Sequence, residues 1–91
     1  MQPSISILKQ SEVLEITRQS PTTLWRQVKA GTFTPPIQIG KKATGYIKDE
    51  VNAVLSARSI GMPEKELKAL VKRLVAQRKE RANRLLDTIA A

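Results

Sequence analysis

The chain has 91 residues, enough for one small domain and an appendage. Hydrophobic and charged contents of 41% and 26% are those of a folded soluble protein, but one Trp, one Tyr and one Phe leave only a small core. The net charge of +8 favours a polyanionic partner, nucleic acid before an anionic membrane surface, while the lack of Cys and His excludes disulfides, thiolate metal sites and histidine-based catalytic pairs.

Residues 1–8 read as a flexible or extended N-terminus. Ser11-Glu12-Val13-Leu14-Glu15-Ile16 reads as a first short helix, with Ser11 as cap, acidic residues toward its start and Leu14 facing inward beside Val13 or Ile16. A short connection, Thr17-Arg18-Gln19, leads to a second helix whose two ends are both marked. Ser20 suits the N-cap, Pro21 the first helical position and Gly31 the left-handed stop. Leu24 and Val28 form its apolar face. Thr22, Arg26 and Lys29, spaced i, i+4, i+7, form the outer face, with Thr23 and Trp25 on the flanks. Two short helices across a tight turn make a helix-turn-helix.

Beyond Gly31 the tandem Pro35-Pro36 enforces extended backbone. Ile37-Gln38-Ile39 alternates with period two, Gly40 to Gly45 is a basic turn, and Tyr46-Ile47 is a return strand. The result is a hairpin, or wing, with Lys41 and Lys42 at its tip. Asp49 reads as the cap of a third helix carrying Val51, Val54 and Leu55. Phe33, Ile37, Ile39, Tyr46 and Val51 read as core, and Trp25 as half core. A break at Ser59–Pro63 precedes a helix running to the chain end without Gly or Pro, about 40 Å long at 1.5 Å per residue.

Four segments follow one another along the chain: Ser20-x-x-Thr23-Leu24-Trp25-Arg26, Gly31-Thr32-Phe33, Pro36-Ile37-Gln38-Ile39-Gly40 and Gly45-Tyr46-Ile47-Lys48-Asp49-Glu50-Val51. Their order and spacing resemble the AlpA family of phage and prophage regulatory proteins, relatives of excisionases and of the MerR-type winged helix-turn-helix. The resemblance covers about Ile7 to Leu55. The resemblance implies a DNA-binding protein of a mobile element, acting as a transcriptional regulator or as a directionality factor for excision by an integrase. It places Ser20, Thr22, Thr23, Trp25 and Arg26 on the DNA-contacting helix and Lys41, Lys42 and Thr44 on the wing. Several positions depart from the family pattern. Arg18 replaces a turn Gly, Pro21 a polar residue, Trp25 a Tyr, Thr34 a Pro, Tyr46 a Trp and Val54 an aromatic residue.

The expected fold is therefore mainly α with a small β-hairpin: a winged helix-turn-helix over residues 9–60, followed by a long helix within residues 61–91. Thr22, Thr23, Arg26 and Lys29 are candidates for DNA contact, because hydroxyls and guanidinium groups reach phosphates or base edges. For Arg26 both a base contact and a phosphate contact stand open. Residues 61–91 carry half the net charge, with eight Lys/Arg and four Asp/Glu. Three readings of this helix are open: pairing with a second copy, folding back on the domain, or lying along DNA. Pairing is favoured, through Leu67, Leu70, Val71, Leu74, Leu85 and Ile89, giving a homodimer or a DNA-assembled oligomer.

Two rival functions keep the same sequence features. One is a phage packaging-type DNA-binding subunit in a higher oligomer; the other is an adaptor whose long helix docks on an integrase or RNA polymerase. Eight scattered carboxylates without His or Cys give no catalytic constellation, so no enzymatic activity, cofactor or metal is expected. No apolar run reaches the ~20 residues of a membrane span. The N-terminus lacks a basic start followed by a hydrophobic stretch, so a cytoplasmic location is expected.

Overall fold

The computed structural model describes residues 5–90, so the first half of the expected flexible N-terminus, residues 1–4, lies outside the described residues. The first element among the described residues is a short strand, β1 (Ile7–Leu8), followed by helices α1 (Gln10–Thr17) and α2 (Pro21–Ala30). The cap of α1 is Lys9 rather than the expected Ser11. The reason is Glu12, whose carboxylate reaches back three residues to accept the Lys9 N–H at 3.0 Å, which leaves Ser11 inside the first turn. Val13 is fully buried and Leu14 partly, whereas Ile16 is 50% exposed. Arg18 ends α1 in the left-handed conformation, φ 56°, a region that favours glycine.

The ends of α2 follow the expectation. The Ser20 hydroxyl accepts the Thr23 N–H at 3.2 Å, and Pro21 occupies the first turn. Gly31 takes φ 80° and donates to the Val28 carbonyl, while Thr32 N–H reaches the Gln27 carbonyl at 2.9 Å. These two bonds satisfy carbonyls that the helix end leaves free.

The wing is a hairpin of β2 (Ile37–Gln38) and β3 (Thr44–Ile47), pairing Ile37 with Gly45 and Gln38 with Thr44. β3 is the central strand of an antiparallel sheet of order β1-β3-β2. β1 pairs Ile7 with Ile47 and Leu8 with Tyr46, and the Lys48 N–H continues this pairing to the Ser6 carbonyl at 2.8 Å. Gly45 sits where β1 crosses the wing, and a Cβ there would overlap the Ile7 side chain. Ile39, expected in the core, is 55% exposed, because it follows the last ladder pair of β2 and lies at the turn.

Helix α3 (Lys48–Ser59) follows β3 without a linker. Asp49, expected as its cap, therefore lies in the first turn beside Glu50, with Ile47 at the cap position. Acidic groups there still meet the partial positive charge of the helix N-terminus. Val13, Leu24, Phe33, Val51 and Val54 form the centre of the core, and Phe33 meets Tyr46 edge to face with centroids 6.0 Å apart.

The last helix, α4 (Glu64–Ala90), divides at its middle. Leu67 and Val71 are buried in the core, with Leu70 and Leu74 packed against it. Further on, Leu85, Leu86 and Ile89 are 47%, 60% and 73% exposed. The six residues expected to form one self-association stripe thus fall into two groups. Leu67, Leu70, Val71 and Leu74 are occupied within the chain, and only Leu85 and Ile89 remain open to solvent.

Candidate nucleic-acid interface

Helix α2 is oriented by its apolar side. Leu24 is buried and Val28 packs against the core, so Thr22, Arg26 and Lys29 point away into solvent. No Asp or Glu lies on this helix. Ser20 and Thr23 are exposed but engaged with each other: the Ser20 hydroxyl donates to the Thr23 hydroxyl at 3.0 Å and accepts the Thr23 N–H. Ser20 therefore serves first as a cap, and Thr23 keeps a hydroxyl proton to donate. Trp25 is 60% exposed, not half core as expected. Its position turns it past the Leu24 face, and its ring lies under the Lys29 ammonium, 5.0 Å from the centroid.

The wing presents Lys41, Lys42 and Thr44, all exposed. Its tip is closed by the Ile39 N–H bonded to the Ala43 carbonyl at 2.9 Å. The Gln38 amide donates to the Gly40 carbonyl at 3.1 Å, a brace that the period-two pattern of the sequence did not single out. The wing root meets α2 around a cleft of about 170 Å³, where Pro36 and Tyr46 face Pro21 and Trp25. Burial raises the pKa of the Tyr46 phenol, which keeps it neutral.

The segment between α2 and the wing is fixed from beneath by a polar cluster that sequence reasoning missed. Glu50, on the first turn of α3, is 2% exposed. It accepts the hydroxyl of buried Thr34 and two bonds from Arg78 of α4, from Nε at 2.8 Å and from Nη2 at 2.6 Å. The same Arg78 nitrogen donates to the Pro35 carbonyl at 2.6 Å. One guanidinium thus ties α4 to α3 and to the approach of the wing. The available signal was spacing: Arg78 lies eleven residues after Leu67 on the same face as Val71 and Leu74. Nearby, the Arg58 guanidinium lies 5.5 Å from the Phe33 ring centroid and donates to the Thr32 carbonyl at 3.3 Å, and burial lowers its pKa.

The described domain is a helix-turn-helix with an adjoining wing, and its exposed helix face and wing tip are both basic. The family model described as "Prophage CP4-57 regulatory protein (AlpA)" matches residues 6–59, from β1 to the end of α3. The chain belongs to the AlpA family. This is a phage-related regulatory family, and its match ends before α4 begins. No curated protein and no solved structure matches this AlpA-family chain significantly. No helix among the described residues is long and apolar enough to cross a membrane.

Proposed function

We propose that this AlpA-family protein binds double-stranded DNA sequence-specifically, as a transcriptional regulator or as an excision directionality factor of a phage or mobile element. The observation that carries the reading is the outer face of α2: Thr22, Arg26 and Lys29 are exposed on a helix without a carboxylate, and a lysine-tipped wing adjoins it. In this reading α2 enters the major groove and Arg26 reads a base edge, since a guanidinium can donate two parallel bonds to guanine. Thr22 and Thr23 bond phosphate through their hydroxyls near the helix N-terminus, whose partial positive charge favours anions. Lys41, Lys42 and Thr44 hold the neighbouring backbone or minor groove.

The test starts with the duplexes that the protein selects from random DNA. Arg26→Ala weakens binding to the selected site by about 1–3 kcal/mol and changes binding to random duplex little. Equal losses on both duplexes assign Arg26 to phosphate instead. Lys41→Ala with Lys42→Ala lowers affinity on both and reduces the slope of log K against log salt by about 1.8; an unchanged slope removes the wing from the interface.

A second element of the reading concerns the free half of α4. Leu85, Leu86 and Ile89 are exposed apolar side chains in a chain that otherwise buries its Leu67 and Val71. We infer that they pair with the same segment of a second copy, giving a homodimer that holds two α2 helices on one DNA site.

A further inference from the structure

Helix α4 carries a row of lysines, part of which the fold brings to the end of α2. Lys65, Lys68, Lys72 and Lys79 are spaced by three, four and seven residues, which places them on one face of a helix. All four are exposed. From Leu67 to Lys79 there is no Asp or Glu, and Arg78, on the neighbouring core-facing side, is already engaged with Glu50.

Two of the four, Lys68 and Lys72, lie beside the C-terminal end of the candidate recognition helix. The Lys68 stem passes Gly31, its Cγ 3.9 Å from the Cβ position of that residue. Lys68 and Lys72 flank a cleft of about 350 Å³ that Val28, Ala30 and Gly31 of the α2 end also line. Lys29, the last cation of α2, lies on the same end of the helix. Glu64 lies 3.9 Å from the Lys68 ammonium, but both side chains are largely exposed, at 71% and 50%. An exposed pair of this kind exchanges readily for a phosphate contact.

The C-terminal end of a helix carries partial negative charge and repels a phosphate. The two lysines reverse that sign at the end of α2. We propose that Lys68 and Lys72, with Lys65 and Lys79 in line, form a second phosphate-binding site that holds the DNA backbone flanking the α2 contact. The inference rests on the DNA-binding reading above. It assigns α4 a direct part in the interface, outside the segment that defines the family.

The experiment measures binding of the full chain to its selected duplex, with long flanks, across a salt series. The variants are Lys68→Gln with Lys72→Gln, and Lys68→Arg with Lys72→Arg, each first checked for an unchanged thermal melt. The Gln pair lowers affinity at low salt and reduces the log–log salt slope by about 1.8, as two lost phosphate contacts require. The base preference is unchanged, and the Arg pair restores both slope and affinity. If the Gln pair binds like the wild type while Lys41→Ala with Lys42→Ala loses affinity, the α4 site is overturned and the DNA-binding reading stands. If the wild type binds neither selected nor random duplex at low salt, both fall together.

Discussion

Gly45 leaves no space for a methyl group, because the Ile7 side chain of β1 lies against its Cα face of the wing and Ile39 Cδ1 lies 3.6 Å from the Cβ position. Ile7 is β-branched and held in the sheet by pairing with Ile47, so it cannot swing aside as a long flexible chain would. Gly45→Ala is expected to lower stability by about 1–3 kcal/mol, the usual cost of overpacking. The urea midpoint reads this directly, and an unchanged midpoint would show that β1 yields without loss. At this scale the sequence was most legible where the physics is local. Ser20, Pro21 and Gly31 carry their roles in their own chemistry, and each occupies its expected place around α2. Arg18 is the contrasting case. It accepts a left-handed φ of 56° that costs a non-glycine residue about 1–2 kcal/mol, and its own side chain does not announce it. The burial of Trp25 and Ile39 was misjudged for a similar reason. Exposure depends on what the remaining chain brings alongside, and hydrophobicity alone does not report that.

Among the elements, α4 gains most from being seen folded. Its run Gln77-Arg78-Lys79-Glu80-Arg81 reads as an interruption of an apolar stripe, yet Arg78 continues the inward face and ends on a buried carboxylate. The pairing joins residues 28 apart in the chain, so neither partner can be inferred from its own neighbourhood. Glu50 is 2% exposed at its side chain and Arg78 21%, so the ion pair is shielded mainly on the carboxylate side. Removing the cation strands that carboxylate against Thr34. Arg78→Met is expected to cost about 3 kcal/mol, the low end for breaking a buried pair, since Arg78 itself keeps some contact with water. Combining it with Glu50→Leu should recover part of the loss, because no buried charge is left unpaired, while the buried Thr34 hydroxyl then lacks both of its partners. Urea unfolding of the two single variants and the double variant closes the cycle. Losses that simply add would show that the two side chains act independently. β1 was the other element the sequence withheld, since two residues are too short to display alternation and Ile7–Leu8 become a strand only by pairing with β3.

In the whole molecule the docked and free halves of α4 have different energetic roles. The Leu67 to Arg78 half stabilises the domain, while the Leu85 to Ile89 end contributes little to it, because its apolar side chains face water. Leu85 and Ile89 lie four residues apart and share one face, so a second copy can cover both at once. In the proposed dimer, association would therefore be separate from folding. Leu85→Glu with Ile89→Glu is expected to leave the monomer's own core and its melting temperature at high dilution unchanged, and to abolish the dimer in a mass measurement across a concentration series. On DNA, the same variant should lose the cooperative step of binding to a site with two half-sites about one turn, ~34 Å, apart, while a single half-site is bound as before. A mass that stays monomeric for the wild type at all concentrations, with cooperative binding intact on the double site, would place dimerisation on the DNA itself. A large ring would instead move the protein toward a packaging-type assembly. A dimer dispersed by the two glutamates ties the length of α4 to the distance between the two reading helices. In that case a segment outside the family match helps determine which spacing of half-sites this AlpA-family protein accepts.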